Sequence, residues 1–286
     1  MNTAVAIVNW NSGNWLRTCI ESLLATAPNA EILVVDNASE DASLALVKGF
    51  RNRVSFICNS VNRGFAAGVN QAFQSTSSLY ILVLNPDIRV TPGAVRTLEN
   101  FMRSHPRTGA VGGYVNENYL PRDFPTVWGL VCENFGFARP PSVTAACDRR
   151  SPLSEAVSVE QPAAAALMIR REAYESVGGF DEQFYPAWYE DVDFCRRLKA
   201  EAWEIYYAPQ AEFLHEGGYS LCTLGSESFV RAYYSNQIRY ARKHFSSLGS
   251  ATVRASVAAG MLARMIGRPQ QAAAYGKALL GALKGW

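Results

Sequence analysis

The chain has 286 residues, with 27 Lys and Arg against 25 Asp and Glu, a net charge of +2, 49% apolar residues and 18% charged ones. This composition supplies a core for one large domain, or one domain and an appendage, and excludes intrinsic disorder, collagen-like repeats and a long coiled coil. The longest apolar run, Ala163 to Ile169, falls far short of the ~20 residues that a spanning helix needs, so no transmembrane helix is predicted.

The first half alternates strand and helix signals. Val5–Val8 reads as a buried strand, and Trp15–Ala25 has helical apolar spacing through Leu16, Cys19, Ile20, Leu23 and Leu24. Glu31–Val35 is a second strand, and Ser39 or Asp41 can cap a helix running to Phe50. Val54–Cys58 is a third strand; Asn62-Arg63-Gly64 makes a turn before a helix over Ala66–Gln74. Tyr80–Leu84 is a fourth strand that stops at Asn85-Pro86-Asp87, and Pro92 opens a helix to Ser104. This alternation predicts an α/β fold with a parallel sheet, whose ligand site lies at the C-terminal strand ends, where Asn9, Asp36 and Asp87 stand.

The second half is less regular. Residues 115–160 read as a long connection with a short helix near Trp128. Ala163–Ile169 is a buried strand, Arg171–Val177 a short helix closed by Gly178-Gly179, and Glu190–Glu201 a helix. Glu204–Ala208 is a strand, and Phe213–Gly218 a strand end with a loop. From Ser228 the chain reads as helices, with Val257, Met261 and Met265, then Tyr275, Leu279 and Leu283, recurring at four-residue spacing around a break at Gly267-Arg268-Pro269. Met1-Asn2-Thr3 leads straight into Ala4–Val8, which lacks the parts of a signal peptide. Cys19, Cys58, Cys132, Cys147, Cys195 and Cys222 are scattered without a C-x-x-C pair and read as reduced thiols.

Several of these residues carry chemistry. Asp87 is a carboxylate at a strand mouth, able to share Mg²⁺ or Mn²⁺ with diphosphate oxygens; an Asp in a plain turn has the same sequence. Glu190, Asp191 and Asp193 open a helix, which their charge stabilises, but the aromatic stretch Phe184–Tyr189 before them offers the partly dry approach that a general base needs. His215 stands beside Gly217-Gly218, where a ligand can approach the backbone closely. Asp36 can accept from a ribose hydroxyl or a base N–H, and Arg63 can meet phosphate. Neither a G-x-G-x-x-G after the first strand nor a G-x-x-x-x-G-K-[ST] is present, which argues against a dinucleotide oxidoreductase and a P-loop ATPase.

Six ordered blocks together carry a resemblance: Ile7–Asn11, Val34–Ser39, Asn62–Asn70, Leu84–Asp87, Val177–Glu182 and Tyr189–Leu198. The series resembles glycosyltransferase family 2, in its bacterial rhamnosyltransferase-like branch, over roughly residues 3 to 245. The resemblance implies a GT-A fold: a Rossmann-like nucleotide-binding half (1–113) and an acceptor-binding half (114–227) in one continuous mixed sheet, followed by a basic amphipathic helical region (228–286). It implies an inverting hexosyl transfer from a nucleoside-diphosphate sugar, with dTDP-L-rhamnose the preferred donor and a saccharide or lipid-linked saccharide the acceptor. Such a reaction serves synthesis of a surface polysaccharide such as lipopolysaccharide. Asn9, Asp36, Arg63 and Asn85 would line the nucleotide pocket, and Asn85 and Asp87 match the family's D-x-D position. There Asp87 would hold Mg²⁺ or Mn²⁺ with His215, while Asp191 matches the proposed base and Glu190 assists it. A UDP-hexose donor and a non-catalytic nucleotide-sugar-binding relative stay open. A nucleotidyltransferase would show a Gly-rich N-terminal loop with Arg and Lys, which residues 10–14 lack.

Residues 231–286 hold nine Lys or Arg and no Asp or Glu. A basic amphipathic segment behind an acidic body suits a peripheral protein on the cytoplasmic face of the inner membrane; a helix packed on the body is the other reading. Nucleic acid is not an expected partner, because the nucleotide-binding blocks lie elsewhere.

Overall fold

The computed structural model describes residues 2–116, 119–137, 155–162, 164–215 and 226–285. Ala163, Cys147, Cys222, Glu216 to Gly218, Trp286 and much of the 115–160 connection lie outside the described residues.

Strands β1 (Thr3–Asn9), β2 (Glu31–Asp36), β3 (Val54–Cys58) and β4 (Tyr80–Leu84) are mutually parallel in the order β3-β2-β1-β4. Every position of β1 is buried, as befits a strand covered on both faces. Its residues divide by parity. Val5 and Ile7 join Leu16, Ile20 and Leu98 of α1 (Asn14–Thr26) and α4 (Ala94–Ser104) on one side. Ala4, Ala6 and Val8 join Val69 and Phe73 of α3 (Phe65–Gln74) on the other.

The second half extends the same sheet with mixed polarity. After β4 come β5 (Ile88–Val90), α4 and β6 (Thr108–Tyr114); α5 (Val127–Asn134), β7 (Val157–Ser158), β8 (Ala166–Arg170), α6 (Arg171–Ser176), α7 (Glu190–Ala200) and β9 (Glu204–His215) follow. Strand β8 lies antiparallel between β4 and β6, β6 runs parallel to β9, and β5 and β7 pair antiparallel with β9. Among the described residues, nine strands thus form one sheet.

The structure corrects several sequence expectations. The helix expected through Phe50 is one turn, α2 (Ser43–Leu46), followed by a 3₁₀ turn at Lys48–Phe50 that contains Gly49. The strand expected from Ala163 begins at Ala166. The two strands expected around residues 204–218 are one, β9, and its register on β6 shifts between Gly113 and Tyr114 so that Pro209, Gln210 and Ala211 are accommodated in a bulge. Strand β6 went unread because three of its seven residues are glycine. A Cβ at Gly113 would come within 2.4 Å of the Phe213 ring and the Ala211 carbonyl. The glycine is there for close packing, at the expense of a strand signal.

The tail forms α8 (Ser226–His244), α9 (Ser247–Gly267) and α10 (Ala272–Lys284). The stripe expected to face an interface turns inward: Val257, Met261 and Tyr275 are buried with Val230 and Ile238, and Met265 and Leu279 pack against them. Leu283 alone of that stripe is exposed. Several of the bases close helix ends. Arg242 donates to Gly285 O at 2.8 Å, Arg254 to Ala282 O at 2.5 Å, and Arg264 to Asn134 O at 2.7 Å. The bundle docks through α5, where Asn134 donates to Ser256 Oγ at 2.9 Å.

Candidate active site

At the ends of β1 and β2 a buried polar network forms. Asn9, wholly buried, donates from Nδ2 to Asp36 Oδ1 at 2.6 Å, with Ser39 Oγ and Ser43 Oγ at 3.0 and 3.1 Å, and accepts from Ser12. Asp36 also accepts from the Ser39 hydroxyl at 2.6 Å and the Ser39 N–H at 3.0 Å. Asn9 therefore holds Asp36, and its own amide is engaged on every side. Next to them Asn37 donates to Gly64 O at 3.0 Å and accepts from Asn59, tying the Arg63 turn to β2. Arg63 is half-exposed, with Nη2 3.9 Å from Glu182 Oε2. Gly64 sits at φ +85, and a Cβ there would meet Tyr185 Cδ2 at 2.9 Å. The chain crosses close to the aromatic loop at that point, and only glycine fits.

A cleft opens between these strand ends and that loop, lined by Trp10, Ser12, Asn37, Asn85, Asp87 and Trp188 among others. Asn85 stands in its wall, with its N–H on Ala165 O at 3.0 Å. Asp87 is buried; its Oδ2 lies 3.3 Å from His215 Nε2, while its Oδ1 has no partner among the described residues. The Tyr119 ring lies 4.6 Å from that of His215. Among the described residues no group of three or more His, Cys, Asp or Glu is gathered for a metal. A divalent ion here would take ligands from Asp87 and His215 and the rest from a bound diphosphate. The orphaned, buried Oδ1 of Asp87 fits that arrangement, since such an oxygen is costly to leave unbonded.

The acids of α7 lie one strand away. Asn85 N–H bonds Ala165 O, and the neighbouring Ala164 N–H acts on Asp191. Asp191 Oδ1 also accepts from Val192 N–H at 2.8 Å. Burial raises the Asp191 carboxyl above the ordinary aspartate range, opposed by the Val192 N–H, its own N–H, the Arg122 charge and the Ala164 N–H. Burial, and then the Asp191 charge, push Glu190 well above the glutamate range, and its Oε2 has no partner among the described residues. Two carboxyls sharing a dry site disfavour a second negative charge.

Sequence reasoning missed the groups that aim this segment. Trp188 and Tyr189 enter α7 at φ +76 and +73, the left-handed region that costs a side-chain-bearing residue about 1–2 kcal/mol. Two buried residues of α8 hold them. Asn236 donates to Ala187 O at 2.8 Å and Tyr185 O at 3.3 Å, and Gln237 donates to Tyr189 Oη at 3.2 Å. Arg122 was missed as well, lying in a stretch without periodicity; the one available signal was its position in the connection between the two halves.

Comparison with known proteins agrees with this layout. Residues 4–156 match glycosyl transferase family 2, and residues 152–216 match the family described as N-terminal domain of galactosyltransferase. The chain is 30% identical over 237 residues to the N-acetylglucosaminyl-diphospho-decaprenol L-rhamnosyltransferase of Mycobacterium tuberculosis, covering 76% of each chain. It is 22% identical to the rhamnosyltransferase WbbL of Escherichia coli, over 85% of this chain and 94% of that one. Among solved structures, a mannosyltransferase from Pyrobaculum calidifontis in complex with GDP-Man and Mn²⁺ superposes with a TM-score of 0.61 at 13% identity, over 99% of this chain and 75% of that one. The curled mixed sheet is the GT-A fold, and the chain belongs to glycosyl transferase family 2, a family of glycosyltransferases.

Proposed function

We propose that this glycosyltransferase inverts the anomeric centre of a nucleoside-diphosphate sugar, with dTDP-L-rhamnose as donor and a lipid-linked saccharide as acceptor, in bacterial surface polysaccharide synthesis. The observation that carries the reading is Asp87, buried beside His215 with one carboxylate oxygen unpartnered, one strand from Asp191. The names of the two rhamnosyltransferase relatives support the donor, and that of the mycobacterial relative supports a diphospho-polyprenol acceptor.

Asp36 receives the nucleoside base or ribose, held in place by Asn9. Arg63 and Asn85 face the diphosphate, and Asp87 and His215 would hold Mg²⁺ or Mn²⁺. When bound, the cation stabilises the charge of the departing diphosphate. Asp191 takes the proton of an acceptor hydroxyl, whose oxygen bonds to the anomeric carbon as the bond to the diphosphate oxygen breaks. The electron pair leaves with the nucleoside diphosphate. Glu190, whose carboxyl burial and the Asp191 charge raise further, assists by favouring the negative charge on Asp191. With a lipid-linked acceptor the enzyme works peripherally, on the cytoplasmic face of the inner membrane.

The test is release of nucleoside diphosphate from dTDP-rhamnose, UDP-glucose, UDP-galactose, UDP-GlcNAc and GDP-mannose, each with Mg²⁺ or Mn²⁺ and N-acetylglucosaminyl-diphospho-polyprenol. Acceptor-dependent release of dTDP is expected. Release of UDP instead reassigns the donor to a UDP-hexose, and donor binding without release marks a non-catalytic relative.

A further inference from the structure

The outer surface of the C-terminal bundle is unusually apolar. Twelve large apolar side chains are exposed among the described residues, and eight of them lie on or just after α5, on α9 or on α10. Ile266 is 85% exposed and Leu248 79%. Along α9 the outward positions Leu248, Ala255, Ala259, Leu262 and Ile266 recur at helical spacing, and no exposed position of this 21-residue helix carries a charge. A helix packed on a globular body ordinarily turns a polar face outward. Its two arginines are engaged elsewhere, Arg254 and Arg264 both holding backbone carbonyls. On α10, Leu283 lines a groove with Ala251, Ala255 and Ala258 of α9, and exposed Leu280 lies about one turn before it.

We propose that this outer face of α9 and α10 is the surface that rests on an anionic bilayer, its apolar side chains in the interface and its bases on the headgroups. The proposal rests on the peripheral-membrane part of the reading above and names the contact. It differs from the stripe first read in the sequence, which is the bundle's own core.

Charge selects the occupant. The helices α9 and α10 contain no acid at all. Arg268 follows Ile266 closely, and Lys284 adjoins Leu283; both are exposed, and neither charged group has a partner among the described residues. A bilayer with anionic lipid matches both the apolar face and its bases. A second copy of the chain matches the apolar part only. A two-fold pairing would set like bases against each other with no carboxylate on these helices to meet them.

The experiment is flotation of the full chain with vesicles of phosphatidylcholine alone or mixed with phosphatidylglycerol. Binding to the mixed vesicles should be roughly tenfold or more the stronger. The double substitutions Leu262→Asp with Ile266→Asp, and Leu280→Asp with Leu283→Asp, should each abolish it. All four side chains are at least half exposed, so thermal unfolding should be unaltered and a misfolded variant would be recognised. Binding that survives both variants overturns this assignment while leaving membrane association standing. No binding by the unaltered chain overturns both, with sugar transfer still testable in detergent. A sedimentation dimer that the same substitutions disperse also overturns it, assigning the face to a second copy.

Discussion

His215 Nε2 lies 3.3 Å from Asp87 Oδ2 because the antiparallel pairing of β5 with β9 sets His215 opposite Ile88. One residue from the first half of the chain and one from the second thus meet at the cleft wall, and donor binding should depend on both. Asp87→Asn should remove the Mn²⁺-dependent part of nucleoside-diphosphate binding and cut kcat/KM about 100-fold or more. His215→Ala should cost roughly 10- to 100-fold in metal affinity. Titration of Mn²⁺ against the nucleoside diphosphate, followed by thermal shift, reads both. A wild-type Mn²⁺ response in the Asp87 variant would remove this residue from the site.

Asp191 should set the acid limb of the pH–rate profile. Burial raises its carboxyl and the Arg122 charge opposes the rise. The limb should therefore lie above the ordinary aspartate value of about 3.9, and Arg122→Ala should move it further up. Asp191→Asn should lower transfer by about 10²–10⁴-fold with donor binding retained. An unmoved limb in the Arg122 variant would show that another group is titrating.

Glu190 should be a stability liability. Its folded-state carboxyl is raised by burial and the Asp191 charge. Such a group contributes stability that is complete below its unfolded value of about 4.3 and is lost as pH rises through the folded one. Glu190→Gln removes the ionisation. The variant should melt higher than the parent at neutral and alkaline pH, by about 2–4 °C for each kcal/mol gained, and the gap should close in acid. Scanning calorimetry across pH tests this. A variant less stable at every pH would mean that the glutamate is ionised and partnered.

Much of the first half could be read in advance because β1, β2 and β4 are continuous apolar runs that end in polar residues, and those ends are where a parallel sheet binds ligands. The candidate residues Asp87 and His215, paired in the metal shell that the resemblance implies, are neighbours in space. What escaped was long-range. Gly112 and Gly113 hide a strand whose reason, contact with Pro162 and Phe213, is visible only once the sheet is assembled. Asn236 and Gln237 sit in an ordinary helical stretch, and nothing local marks them as partners of Tyr185, Ala187 and Tyr189. The tail misled for a related reason: helical spacing identifies an apolar face but not what covers it, and Val257 and Met261 are covered by neighbouring helices.

Asn236 should matter to catalysis through the loop that it holds. Asn236→Ala leaves the carbonyls of Tyr185 and Ala187 without their amide donor, a loss of about 1–3 kcal/mol where such groups stay buried. The left-handed pair Trp188 and Tyr189 then relaxes. Trp188 and Ala187 line the cleft, so KM for the donor should rise and melting should fall, while the acid limb set by Asp191 stays in place. Unaltered KM with lowered stability would assign Asn236 a purely structural role.

Asp193 should be the carboxylate on which the acidic helix depends for its position. It is fully buried, with Arg197 Nε at 2.8 Å, Lys243 Nζ at 2.9 Å and His244 Nε2 at 2.7 Å, so α7 is clamped to the end of α8. Burial alone would raise this carboxyl, but the His244 hydrogen bond, the Arg197 charge and the Lys243 hydrogen bond outweigh it and hold it below the ordinary range. The sign is opposite to that of Glu190: the stabilisation is present above the unfolded value of about 3.9 and is lost as pH falls through the folded one. Asp193→Asn leaves Arg197 facing a neutral amide and takes one of two carboxylates from Lys243, which keeps Asp181 at 2.6 Å, and should cost about 3 kcal/mol at neutral pH. Urea unfolding of variant and parent should therefore differ most at neutral pH and converge in acid. A cost independent of pH would mean that the asparagine fails through packing instead, and that the charge of this carboxylate is not what clamps α7 to α8.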